Sequence, residues 1–158
     1  AGQQQADLPI DHLNSLGGLV PGVLPIVLDI ESFSRPSGAG AAVVTNFSLG
    51  FVSRVKERTG KNAIIYSNLN FIKSYLISND LANNPLWIAN YTETSNPSVV
   101  PSRGCVRTIW SISNCDKAWS FWQYTDRGDG QRYGIPRGSI DLNVYAYGTS
   151  DLLAMAGY

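Results

Sequence analysis

The stretch Leu24-Pro25-Ile26-Val27-Leu28-Asp29-Ile30-Glu31 constrains this chain most. Its apolar run is far short of the ~18 residues a membrane span needs, and it closes on two acids. That pattern predicts a strand buried on both faces, as in a parallel α/β sheet, whose carboxyl end is where such folds carry their chemistry. Asp29 and Glu31 are two residues apart, so an extended backbone sends both side chains to one face with Cα atoms roughly 6.6 Å apart. Between apolar walls, desolvation and mutual repulsion keep a proton on one of them, giving a general acid beside an anion. The same triplet also marks an ordinary strand exit into solvent, so its meaning depends on the other strands.

Those strands follow in a regular rhythm. Ser32 to Gly40 is a Ser, Pro and Gly loop without the Gly-Lys-Ser/Thr of a phosphate loop. Val43, Val44, Phe47, Phe51, Val52 and Val55 recur at helical spacing from Ala41 to Arg58, and Gly60 supplies a stop. Ala63 to Asn68 reads as a strand, Asn70 to Ile77 as a helix and Pro85 to Tyr91 as a strand. This alternation predicts right-handed βα units and a parallel sheet or barrel. After a loop-rich segment, Thr92 to Lys117, a strand is expected over Ala118 to Thr125 and a turn over Asp126 to Gly130. That turn lacks the spaced acids and closing Glu of a calcium loop.

Ser139 to Tyr145 is a fifth strand with Asp141 inside an apolar run. A buried acid without a partner is costly, so Asp141 is expected to face a polar centre. Ser150 is the expected cap of a terminal helix ending at Met155. At the other end, Leu8, Ile10, Leu13 and Leu16 mark a helical face that Pro9 should interrupt. His12, the single histidine, is expected on that helix's surface rather than in catalysis.

With 158 residues, 44% of them hydrophobic, the chain can bury a core and reads as one domain over residues 1–158. Zero formal net charge supplies no basic field for nucleic acid or anionic membrane. Cys105 and Cys115 enclose nine residues, a spacing that favours a loop-stapling disulfide over two free thiols. A metal site is not expected, since this pair and distant His12 are too few ligands for zinc. The chain opens at Ala1 with no Met and no signal-peptide pattern, so a mature form or a fragment is expected.

Each strand ends in residue types suited to sugars: Tyr66 and Asn68, Trp87 and Tyr91, Trp122, Gln123 and Tyr124, together with Asp141. Aromatic faces cover the C–H faces of sugar rings, while amides and acids bind hydroxyl and acetamido groups. Any one of these aromatics, taken alone, reads as core filling.

The ordered motifs Leu24 to Glu31, Ile65-Tyr66-Ser67-Asn68, Pro85 to Tyr91, Phe121-Trp122-Gln123-Tyr124-Thr125 and Ile140-Asp141-Leu142-Asn143 resemble glycoside hydrolase family 25. These are the lysozymes of the Chalaropsis and phage endolysin type. The resemblance runs from about Gln3 to Tyr147. It implies a (β/α) TIM-like barrel and hydrolysis of the β-1,4 bond between N-acetylmuramic acid and N-acetylglucosamine in peptidoglycan, with no cofactor. Glu31 falls on the family's general acid/base, Asp29 on its partner acid and Asp141 on the acid of the last strand. Tyr66, Asn68, Trp87, Tyr91, Trp122, Gln123 and Tyr124 fall around the cleft. Whether a carboxylate or the substrate's acetamido oxygen attacks the anomeric carbon stays open.

The family's opening strand, with a further active-site Asp in a Gly-Ile-Asp-Val-Ser type motif, has no counterpart here, nor do two βα units that follow it. About five of eight barrel strands are therefore expected, an incomplete barrel with an unpaired edge and exposed apolar surface: a fragment of a longer parent is favoured over a chain that pairs with something completing it or a rebuilt barrel. A non-catalytic peptidoglycan or chitin-oligosaccharide binder is the alternative, because a partial constellation can bind without stabilising a transition state. A chitinase-like hydrolase is weaker, since Leu24 to Leu28 lacks preceding acids. A wall substrate and a disulfide imply secretion or phage delivery to the cell wall, and a monomer once the barrel is whole. Of the sequons at Asn46 and Asn90, the second lies in a motif strand, where glycosylation is not expected.

Overall fold

A computed structural model describes residues 1–32, 40–91, 108–110 and 119–158. Helix α1 (Gly2–Ser15) leads to β1 (Val27–Asp29), α2 (Ala41–Thr59), β2 (Ile64–Asn68), α3 (Leu69–Tyr75) and β3 (Leu86–Ala89). Then come β4 (Phe121–Asp129), β5 (Ser139–Tyr145) and α4 (Thr149–Met155). The sheet order is β1-β2-β3-β4-β5. The first three pairings are parallel and the last is antiparallel. The expected α/β class and five strands are present, as an open sheet. β1 and β5 form its edges.

Alternation along each strand divides the sheet into two unlike faces. Leu28, Ile30, Ile65, Leu86, Ile88, Trp122 and Tyr124 meet Ala6, Ile10, Val44, Phe51, Val52, Val55, Phe71 and Ile72 in one core, so α1, α2 and α3 lie on this side. Ser67 sits in the same layer and donates from Oγ to the Ile30 carbonyl at 2.6 Å, satisfying a buried hydroxyl. The other face carries Asp29, Tyr66 and Trp87, which stand level with one another across β1, β2 and β3.

β1 therefore departs from a strand buried on both sides. Leu28 is 4% exposed, whereas Val27 is 36% exposed and Asp29 is open to solvent. Its regular part is also shorter than Leu24 to Glu31, although Ile64 N donates to the Ile26 carbonyl and Ile30 N to the Tyr66 carbonyl, extending the pairing at both ends.

Pro9 lies inside α1 without ending it. Packing against α2 outweighs the lost backbone hydrogen bond: Ala6 and Ile10 are fully buried, and Gly2 lets the helix start against the Phe47 carbonyl, where a Cβ would collide. Asp7 accepts from Arg54 Nε and Arg58 Nη1, both at 2.8 Å, and Asp11 accepts from Arg58 Nη2 at 2.9 Å.

The turn expected at Asp126 to Gly130 is instead the end of β4, which pairs with β5 through two register shifts as far as Asp129. The chain reverses one step later, in a 3₁₀ turn over Gly130–Tyr133 with Asp129 Oδ1 accepting from Gln131 N at 3.0 Å. The cap of α4 is Gly148, not Ser150: Asp151 reaches back to accept from Gly148 N at 3.2 Å. Cys105 and Cys115, and so the expected disulfide, lie outside the described residues.

Candidate active site

Parallel register lines up the open face in rows. Asp29 is level with Tyr66, Tyr66 with Trp87, Trp87 with Phe121, and Phe121 with Tyr145. Ring centroids along this row lie 5.0, 6.0 and 4.8 Å apart from Tyr66 to Tyr145. One row nearer the carboxyl ends come Asn68, Ala89, Gln123 and Asn143. Asn68 Nδ2 donates to the Glu31 carbonyl at 3.2 Å, which sets Glu31 beside this second row. Carboxylates thus stand at one end of an aromatic floor, and amides cross its middle.

The polar groups on this face hold one another. Tyr66 OH donates to Gln123 Oε1 at 2.6 Å, and Tyr91 OH points at the same oxygen at 3.5 Å. Trp87 Nε1 donates to Asn143 Oδ1 at 2.8 Å. A cleft of about 450 Å³ opens beside Glu31, Asn68, Asn70, Ala89 and Tyr91, at the carboxyl ends of β1, β2 and β3.

Glu31 holds its proton more tightly than a free glutamate, first through desolvation and then through the negative charges of Asp29 and Asp141. Tyr66 is pushed far up by burial and by Glu31, so it stays a neutral phenol. Tyr91 is raised by burial, and next by Asp126 and Asp141. These couplings gather Asp141, at the far edge of the sheet, into the same electrostatic neighbourhood as Glu31.

Asp29, Glu31, Asp141, Tyr66, Asn68, Trp87, Tyr91 and Gln123 therefore share one face or its rim. Trp122 and Tyr124 do not. They alternate onto the helix side, 1% and 7% exposed, and Trp122 Nε1 donates to the Asn90 carbonyl at 2.8 Å. Both are core residues, which corrects their assignment to the cleft. Asp141 is exposed rather than buried, on the same side of edge strand β5 as Ser139 and Asn143, while Ile140, Leu142 and Val144 turn inward. The sequence reading missed Asn143, Phe121 and Tyr145. Their signal was the strand alternation itself, counted from Asp141 and from Gln123. His12 lies on the exposed side of α1, as expected.

Known proteins are similar to this chain in sequence and fold. The chain is 32% identical over 124 residues to the uncharacterized protein YegX of Escherichia coli, a match covering 78% of this chain and 37% of YegX. It therefore spans little more than a third of that relative's length. The bacterial lysozyme from Streptomyces coelicolor superposes with a TM-score of 0.63 at 29% identity, covering 99% of this chain and 66% of the lysozyme. The spore cortex lytic enzyme SleM of Clostridium perfringens gives 0.69 at 28%, covering 95% of this chain and 46% of SleM. The family model of the glycosyl hydrolases family 25 matches residues 1–132, which takes in the helix layer, the acid-ended β1 and the Tyr66, Trp87 and Gln123 strands, and the chain belongs to that family.

Proposed function

We propose that this chain forms part of a peptidoglycan muramidase, cleaving the β-1,4 bond between N-acetylmuramic acid and N-acetylglucosamine. One observation carries the reading: a carboxyl with raised proton affinity, Glu31, stands with Asp29 and Asp141 on an aromatic-floored open face at the strand ends. Glu31, protonated, gives its proton to the glycosidic oxygen. The carboxyl groups of Asp29 and Asp141 offset the positive charge that grows on the sugar ring. Tyr66, Trp87 and Tyr91 supply the surface on which rings lie, Gln123 holds the Tyr66 hydroxyl beneath it, and Asn68 lines its polar rim.

The test is product analysis of purified peptidoglycan after incubation with the chain and with Glu31→Gln. New muramic acid reducing ends are expected from the first, and a loss of about 10²–10⁴-fold from the second. Near-equal yields would remove Glu31 from the acid role.

A second reading is a glycan-binding unit that does not cleave. The edge position of β1 favours it, because the strand carrying the acids is paired on one side only among the described residues. Saturable binding of peptidoglycan fragments with no new reducing ends would select it. Under either reading the partner is a glycan strand, the protein works at the cell wall, as a monomer once the barrel is whole, and Cys105 pairs with Cys115. An unchanged mass after thiol alkylation without reductant is expected.

A further inference from the structure

Among the described buried polar side chains, Gln123 alone lies on the open face: it is 2% exposed, between Ala89 on β3 and Asn143 on β5. Its Oε1 takes the Tyr66 hydroxyl at 2.6 Å, with the Tyr91 hydroxyl at 3.5 Å from the same atom. Tyr66 is fixed from the other side as well. Its ring meets Trp87 edge to face, 72° between planes, and Trp87 is tied by Nε1 to Asn143.

A phenol has one proton and two lone pairs, so a Tyr66 whose proton is committed to Gln123 can only accept from anything else that reaches it. We propose that Gln123 is a positioning residue that orients Tyr66 and sets it as a hydrogen-bond acceptor towards the cleft. The carboxyl oxygens of Asp29 and Asp141 are acceptors too. The wall so built selects a ligand presenting donors, and the acetamido N–H of an N-acetylhexosamine is the group that matches. The ligand class rests on the glycan reading above, whereas the Gln123–Tyr66 link does not.

The test uses the chain labelled with ¹³Cζ-tyrosine, the Tyr66 resonance being assigned by its loss in Tyr66→Phe. Gln123→Met keeps length and apolar contact and removes the acceptor. The Tyr66 resonance is expected to move upfield as the donated hydrogen bond is lost, with Tm close to the parent. An unmoved resonance in the folded variant overturns the proposal. A downfield shift does the same, since it means that the amide Nε2 donates to the phenol and the polarity is reversed. If Gln123→Met does not fold, Gln123→Asn, shorter by one methylene, must give the upfield shift.

In turnover of peptidoglycan, Gln123→Met is expected to lower kcat/KM roughly tenfold, and to have no further effect in the Tyr66→Phe background. Losses that multiply would overturn the positioning role. A parent chain that cleaves nothing counts against the muramidase reading alone, and the resonance shift still decides the role of Gln123.

Discussion

At Glu31, desolvation and the charges of Asp29 and Asp141 all act to hold the proton. The folded chain therefore binds that proton more tightly than the unfolded one. Stability from this group is fully present below the ordinary glutamate pKa and is lost as pH rises through the raised folded value. Glu31→Gln removes the loss. Its Tm should exceed the parent's at neutral pH by roughly a degree or two, a small margin because Glu31 is solvent-open, and should converge with it at acid pH. Calorimetry across pH checks this. Asp29→Asn deletes one of the two charges that hold the proton on. On the proposed muramidase reading, the alkaline limb of peptidoglycan hydrolysis should then move to lower pH, and an unmoved limb would mean that Asp29 does not set the Glu31 proton. The acid pair was legible from two-residue spacing alone. Asp141 was legible as a polar position, but its exposure was not, because an acid among apolar neighbours gives no hint that its strand is an edge.

Elements were legible where one period ran unbroken. α2 follows its apolar spacing and stops at Gly60, whose φ of 71° suits the left-handed region. β4 was the exception, since Asp126 to Gly130 has turn composition yet lies mostly in a ladder. Pairing with β5 overrides local preference there, and Gly128 shows how: a Cβ would stand 2.5 Å from Leu142 Cγ and 2.8 Å from the Ile140 carbonyl oxygen. The glycine is needed for close approach, not for a turn. Gly128→Ala should therefore cost about 1–3 kcal/mol, measured by urea denaturation. A turn role for Gly128, free of that contact, would make the same substitution nearly neutral. The misreading of Trp122 and Tyr124 has a related cause. Both belong to a motif whose residues alternate between faces, so Gln123 enters the site and its two neighbours enter the core.

Over the whole molecule, the two edges of the sheet are linked through the chain's last residues. β5 leads into α4, and beyond it the Ala156 carbonyl accepts from Gly22 N at 2.9 Å, in the loop that precedes β1. The Tyr158 ring lies over Gly22, with its hydroxyl 2.9 Å from where a Cβ there would stand. Sequence alone could not show this tie, because it depends on how far the sheet curves, and curvature comes from packing rather than from any residue pattern. The contact bears on the candidate site, since it joins the edge strand carrying Asp29 and Glu31 to the one carrying Asp141. A chain ending at Met155 loses that backbone hydrogen bond and the Tyr158 contact. One such bond and a largely exposed ring are together worth about 1 kcal/mol, so Tm should fall by roughly 2–4 °C. The loop from Gly17 to Leu24 should also be cut faster by protease, because its backbone is then held from one side only. If the tie also fixes the spacing of the two acidic edges, the shortened chain should lose hydrolysis well below its new Tm. Activity preserved at such temperatures would show that β1 to β5 hold the acids in place through the sheet alone.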